Sequence, residues 1–175
     1  MYSDEIYIET PRLRLREMTP DDAPFILELN SDPEVIQYVG ELPLKNVEEA
    51  VSVLYMRILP QYRRHGMGRL LVELKETGET IGWSGIKREE DTGIYDLGYR
   101  FFKKHWGKGY ATESAKAVLE WGHGERALKS IVGKADVRNI GSVHVLEKIG
   151  MIFDRFSDEG HGKSAVYISS AGSQD

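Results

Sequence analysis

Hydrophobic and polar positions alternate from Tyr7 to Met18, with Leu13 and Leu15 on one face and Arg12, Arg14 and Arg16 on the other. Alternation of this kind predicts a single half-buried strand. The stretch Thr19-Pro20-Asp21-Asp22 then reads as a helix start, with Thr19 as N-cap, Pro20 at the first helical position and acids in the first turn. Phe25, Ile26 and Leu29 supply the helical stripe, and a short second helix follows, capped by Ser31 or Asp32. A longer helix begins at Asn46, and Pro60 marks or kinks its end. After Gly68 the period shortens to two. Strand-like runs flank a Thr77-Gly78 turn, which predicts a hairpin. Tyr95, Leu97, Tyr99 and Phe101 alternate with Asp96, Gly98 and Arg100 in a further strand. The helical period returns with Ala111, Ala115, Val118, Leu119 and Gly122. Another strand covers 130–137, and Asn139 caps a helix that turns Val143, Leu146 and Ile149 inward and stops at Gly150. Strands at 151–156 and 164–169 close the pattern, and residues 169–175 read as a flexible tail.

These elements predict one α+β domain over 1–175 of mixed strand order. The 175 residues suffice for a substantial core. No apolar run approaches the ~18–20 residues of a membrane-spanning helix, and Asp4 and Glu5 stand where a secretory signal carries basic residues. A cytoplasmic location, with no membrane partner, is the expectation. The chain has no cysteine, which excludes disulfides, thiolate metal sites and a cysteine-linked acyl intermediate. The net charge of -5 argues against broad binding to nucleic acid. His65, His123, His144 and His161 show no ligand spacing with carboxylates, so no metal is expected; His105 reads as a surface residue.

Candidate chemistry enters with two Gly-x-Gly pairs. Gly66-Met67-Gly68 follows Arg63 and Arg64, while Gly107-Lys108-Gly109 follows Trp106. An anion site needs a strand feeding a turn that opens a helix N-terminus, where unsatisfied N–H groups and the helix dipole both favour negative charge. The second pair meets that requirement. The first lies between a helix and a strand and reads as a helix stop, with the arginines complementing the dipole. A third stretch, Gly162-Lys163-Ser164, ends like a phosphate-binding P-loop but is followed by a strand, so it reads as a hairpin turn.

"WGKGYATES" (106–114), "NIGSVHVLEKIGMIF" (139–153), the opening "IETPRLRLREMTPDDA" (8–23) and "SDPEVIQYVG" (31–40) together resemble the GCN5-related N-acetyltransferases (GNAT). The nearest branch holds the ribosomal-protein alanine and serine N-terminal acetyltransferases. The likeness covers about residues 6–168. It implies a mostly antiparallel three-layer fold whose splayed central strand pair holds acetyl-CoA as co-substrate, without metal. In the family pattern the pyrophosphate loop aligns with Trp106, Gly107, Lys108, Gly109, Tyr110 and Ala111, continuing to Thr112. Backbone groups of Phe101, Phe102 and Lys103 pair with the pantetheine, and Arg138, Asn139 and Ser142 match a second motif. The family often carries a tyrosine general acid where this chain has Leu146.

Acetyl transfer to an amine needs an acceptor for the ammonium proton and a donor for the leaving thiolate. Asp96 is the candidate base, against the plainer reading of an edge aspartate paired with Arg100. Ser142 is the candidate donor, against a first-turn residue that merely satisfies the helix. Trp83, Tyr95 and Tyr99 are candidates for an acceptor pocket or for core packing. The partners implied are acetyl-CoA and an amine, either a peptide N-terminus or a small amine such as a polyamine, aminoglycoside or amino acid. A non-catalytic acyl-CoA-binding module on the same fold is the competing reading, and the chain acts as a monomer or homodimer.

Overall fold

A computed structural model describes residues 5–172. Eight strands form one sheet in the order β1-β2-β3-β4-β5-β6-β8-β7. β1 (Tyr7–Glu9) and β2 (Leu13–Arg16) are antiparallel neighbours rather than the one strand that alternation predicts. Pro11 breaks the run: it has no N–H for a ladder, and the Thr10 N–H instead closes a turn onto the Leu13 carbonyl at 3.0 Å. The first helical turn forms as expected, with the Asp22 carboxylate accepting from the Thr19 N–H at 2.8 Å. α1 (Ala23–Ser31) and α2 (Pro33–Ile36) follow, and the Asp32 side chain caps α2.

Asn46 caps α3 (Val47–Val53) through the Glu49 N–H. The chain then passes through a π-helical turn, Leu54–Ile58, into α4 (Leu59–His65). Pro60 therefore does not end the helix. It falls in the first turn of α4, where a missing N–H costs little, and the π turn absorbs the break in register. The stop comes at Gly66, whose φ of 62° is left-handed and whose N–H bonds to the Tyr62 carbonyl.

β3 (Arg69–Leu74), β4 (Thr80–Arg88) and β5 (Tyr95–Phe101) form an antiparallel meander. α5 (Tyr110–His123) crosses back to β6 (Ser130–Asp136), and α6 (Ile140–Lys148) leads into β7 (Ile152–Asp158) and β8 (Lys163–Ser170). The Gly162-Lys163-Ser164 stretch lies at the β7–β8 hairpin, with no helix after it. Ser169 and Ser170 pair with Ile131 and Ser130, so the sheet extends past the predicted end of the core; residues 173–175 of the expected tail lie outside the described residues.

The only parallel pair among the described residues, β5 with β6, has two registered partners: Asp96 with Val132 and Leu97 with Gly133. Beyond Leu97 the strands part, leaving Gly98–Phe101 unpaired on that side. The sheet thus opens into a splayed pair, as the resemblance implies. Below the opening the core is continuous, with Leu71, Ile81, Ile86, Leu97, Val118 and Ile131 all buried. Each such side chain contributes roughly 1.5–3 kcal/mol of burial, so the gap sits on a rigid base. No helix among the described residues is long and apolar enough to cross a membrane.

Candidate functional site

α5 begins where the opened end of β5 hands the chain to the loop 102–109. The first-turn N–H groups of Tyr110, Ala111 and Thr112 have no acceptor within the helix. Gly109, the N-cap, has φ 82°, and Gly107 has φ 75°. A Cβ on Gly107 would meet nothing within 4 Å, and one on Gly109 would meet only the Arg12 guanidinium, at 3.3 Å. The turn is open, exposed and aimed along the helix axis, which suits a phosphate group.

Arg12, which alternation marks only as an exposed strand residue, holds this turn. Its Nη1 donates to the Lys108 carbonyl at 3.0 Å, and its Nε donates to the Glu113 carboxylate at 2.8 Å. Its guanidinium also lies 4.5 Å from the Tyr110 ring centre. The β1–β2 turn thereby reaches across the molecule to fix the start of α5. Glu113 is held below the usual carboxylate range, although burial opposes it, by donors from Thr10 and Arg12. No local pattern flags the Arg12–Glu113 pairing, since the two residues meet only in the folded chain.

His105 is buried rather than on the surface. It stands 7% exposed in the loop, Nε2 lies 3.2 Å from Glu79, and the ring meets Tyr110 edge-on. The 3-10 turn at 103–105 folds it inward. The Trp106 indole N–H donates to the Phe101 carbonyl at 2.9 Å. The Phe102 N–H is spent on Ile81, the Phe102 carbonyl on His105 and the Lys103 carbonyl on Trp106. Phe102 and the Lys103 carbonyl are thus engaged within the protein, while Tyr99 and the Phe101 N–H face the gap, because the Phe102 N–H bonds to β4 and successive residues of a strand alternate sides. The Lys103 ammonium pairs with Glu34.

The two faces of β5 differ. On the face toward α1, Asp96 is interior rather than at an edge, and its partner is Arg69, not Arg100: Arg69 Nη2 donates to Asp96 Oδ2 at 2.8 Å. The Arg69 guanidinium lies across the sheet over Gly98, where a Cβ would come within 2.9 Å of it. That placement explains why the guanidinium reaches Asp96 while Arg100, beyond it on the same face, turns to Asn30 at 2.5 Å and Glu41 at 3.3 Å. Burial pushes Arg100 below its usual value, with Glu41 opposing. Lys87, across the ladder from Asp96, is likewise lowered by burial. Trp83 packs between the two arginines, with ring centres 4.9 Å from Arg69 and 5.4 Å from Arg100.

On the opposite face, the Tyr99 hydroxyl donates to the Ser142 carbonyl at 2.8 Å and lies 3.0 Å from Ser142 Oγ. Burial raises the Tyr99 phenol, so it stays protonated at neutral pH. Asn139 caps α6 by accepting from the Ser142 N–H at 3.2 Å. Leu146 is buried, with its Cδ2 where a Cβ on Gly133 would fall. Arg138 grips Asp136 through both carboxylate oxygens and holds it down at about 2. Tyr99 thus stands on the face toward α6, and Trp83, on β4, stands on the opposite face beside Arg69 and Arg100. Tyr95 stands apart from both, because it begins β5 at the far end of the strand, about 20 Å from Phe101 at ~3.4 Å per residue.

A family model for the acetyltransferase (GNAT) domain matches residues 12–152. The uncharacterized protein YkkB of Bacillus subtilis (strain 168) is 34% identical, over 90% of this chain and 92% of its own length. The uncharacterized N-acetyltransferase p20 of Bacillus licheniformis is 31% identical, over 80% of this chain and 79% of its own. A crystal structure of an acetyltransferase from Agrobacterium tumefaciens str. C58 superposes with a TM-score of 0.82 at 28% identity, covering 97% of this chain and 96% of that one.

Proposed function

The chain belongs to the GNAT acetyltransferase family, and from that premise we propose that it moves an acetyl group from acetyl-CoA to the α-amine of a peptide or protein by direct attack in a ternary complex. The observation that carries this reading is the gap between β5 and β6 beyond Leu97, opening beside the exposed Gly107-Lys108-Gly109 turn. The turn and the first N–H groups of α5 fit a pyrophosphate, with Lys108 adding charge, and the unpaired edge at Gly98–Phe101 fits an extended amide chain. Acetyl-CoA supplies an acetyl group activated as a thioester.

The residues then divide the work. Asp96 takes the ammonium proton through its second oxygen, since Oδ2 is engaged by Arg69. The acceptor nitrogen forms the amide bond, the thioester C–S bond breaks, and Ser142 Oγ delivers a proton to the departing sulfur. Tyr99, whose hydroxyl bonds to the Ser142 carbonyl and lies 3.0 Å from its Oγ, orients Ser142, and the second proton that the acceptor nitrogen sheds as the amide forms restores the one Ser142 gives up. A thiolate leaving group needs only modest help, because a free thiol ionises near pH ~8.5. Alignment supplies the larger share, up to ~7–11 kcal/mol in ideal cases. On the acceptor side, Arg69, Lys87 and Arg100 outnumber Asp96 and Glu41, which disfavours a polyamine and supports an acceptor of low positive charge.

The test is CoA-thiol release with a panel of peptides, polyamines and amino acids, with mass detection of the product. Turnover on peptide α-amines is the expected result, with Ser142→Ala lowering kcat by about 10–100-fold while acetyl-CoA affinity holds. Acetyl-CoA binding with no turnover on any acceptor supports a non-catalytic module instead, and turnover confined to polyamines overturns the choice of acceptor.

A further inference from the structure

At the end of the sheet opposite the opening lies a cavity of about 360 Å³, within the range of small-molecule sites at ~300–1,000 Å³. Arg64, Arg88 and Arg126 line it together with His65 and Glu125, and Tyr95 with the edges of the buried Met67 and Leu128 supplies a smaller apolar part. None of these residues belongs to the acetyl-transfer site.

The cationic side is built. Gln61 is buried and pins α4 to β4 at Arg88: its Nε2 donates to the Arg88 carbonyl at 2.9 Å, and its Oε1 accepts from the Arg88 N–H at 2.9 Å. That clasp fixes where Arg88 leaves the sheet relative to Arg64. The Arg88 guanidinium itself has no hydrogen-bond or ion-pair partner among the described residues, although the residue is only partly exposed. Arg126 stacks on the Trp121 ring at 5.2 Å and follows directly after Glu125 in a turn that ends at Leu128. Inside that turn Ala127 has φ 52°, the only positive φ outside glycine among the described residues. A left-handed conformation costs an alanine roughly 1–2 kcal/mol. Two backbone bonds hold it there, Ala127 N–H to Gly124 and Leu128 N–H to Gly122.

Glu125 supplies one carboxylate, and Glu90 reaches Arg64 only at 3.6 Å, with both side chains exposed. A partly desolvated guanidinium without a carboxylate is a standing cost that a bound anion removes. Guanidinium forks match the planar edges of phosphate oxygens, and several arginines lining one cavity favour a dianion.

We propose that this cavity binds a small organic phosphate monoester, its phosphate on Arg64, Arg88 and Arg126 and its apolar body against Met67, Tyr95 and Leu128. The site is separate from the acetyl-CoA turn, and the inference does not rest on the acetyl-transfer reading.

Phenyl phosphate is the probe. It is titrated calorimetrically into the intact protein with CoA in excess, so that the Gly107 turn is filled, and at fixed ionic strength. Saturable binding to one site is expected, tighter than for inorganic phosphate and absent for phenol. Arg88→Gln should weaken it by about tenfold or more and leave the thermal shift given by CoA unchanged. If Arg88→Gln does not fold by circular dichroism, Arg126→Gln takes its place with the same expectation. Equal binding by wild type and variant, inorganic phosphate matching phenyl phosphate, or no binding in the millimolar range each overturns the site.

Discussion

The chain carries two loops with nearly the same spelling, and they do opposite things. Gly66-Met67-Gly68 is buried throughout and preceded by Arg63 and Arg64, while Gly107-Lys108-Gly109 is exposed throughout and preceded by Trp106. The first stops a helix. Gly66 takes the left-handed cap and Gly68 makes room for Tyr62, whose ring would lie 2.6 Å from any Cβ there. The second starts a helix, with open space in front of it. Glycine serves close packing at one loop and access at the other. What separates them is the polarity of the adjoining helix end: α4 presents its carbonyls to the first loop, and α5 presents its N–H groups to the second.

The comparison can be broken most forcefully at Gly109. Gly109→Trp puts a large side chain at φ 82° in front of the α5 N-terminus. Acetyl-CoA affinity should fall by at least about 100-fold, roughly 2.7 kcal/mol, while stability falls by no more than the roughly 1–2 kcal/mol of a left-handed residue other than glycine, as read by calorimetry and thermal scanning. A retained affinity would move the phosphate site elsewhere.

Gly68→Ala should show the reverse signature. Its methyl collides with the ring of Tyr62, whose hydroxyl also accepts from the Met18 N–H at 3.1 Å. Denaturant unfolding should show a loss of about 1–3 kcal/mol, while the folded fraction binds acetyl-CoA normally.

Arg12→Ala sharpens the contrast from outside the loop. Removing the clamp on Lys108 and Glu113 should weaken acetyl-CoA binding by about 3–10-fold, near 1 kcal/mol for charge-assisted bonds at an exposed position. Binding kinetics should place the loss in a faster off-rate. The smallest effect belongs to Arg63→Ala with Arg64→Ala, which should leave acetyl-CoA affinity within about twofold. A large loss there would reverse the assignment of the two loops.

Local chemistry made much of this legible. Caps at Thr19, Asp32, Asn46 and Asn139 and stops at Gly66 and Gly150 operate within a few residues, so a linear reading finds them. The exposed turn before α5 was found in the same way. Pro11 and Pro60 misled because a proline's effect depends on whether its missing N–H was needed: it was in the ladder, and it was not after a π turn. Pairings across the fold were out of reach. Asp96 reads as a partner of Arg100 along one strand, but Arg69 arrives from β3, two strands away, over a glycine that leaves it room.

Local sequence set the helix caps, the glycine stops and which glycine loop faces a helix N-terminus, because each follows from backbone preferences within one or two turns of chain. The tertiary structure set where β5 and β6 part after Leu97, that Arg12 holds the turn, that Tyr99 reaches Ser142 and that three arginines line one cavity. Those facts depend on residues far apart in sequence, whose contact is set by how the sheet twists and where the helices cross it, and no local pattern encodes that distance.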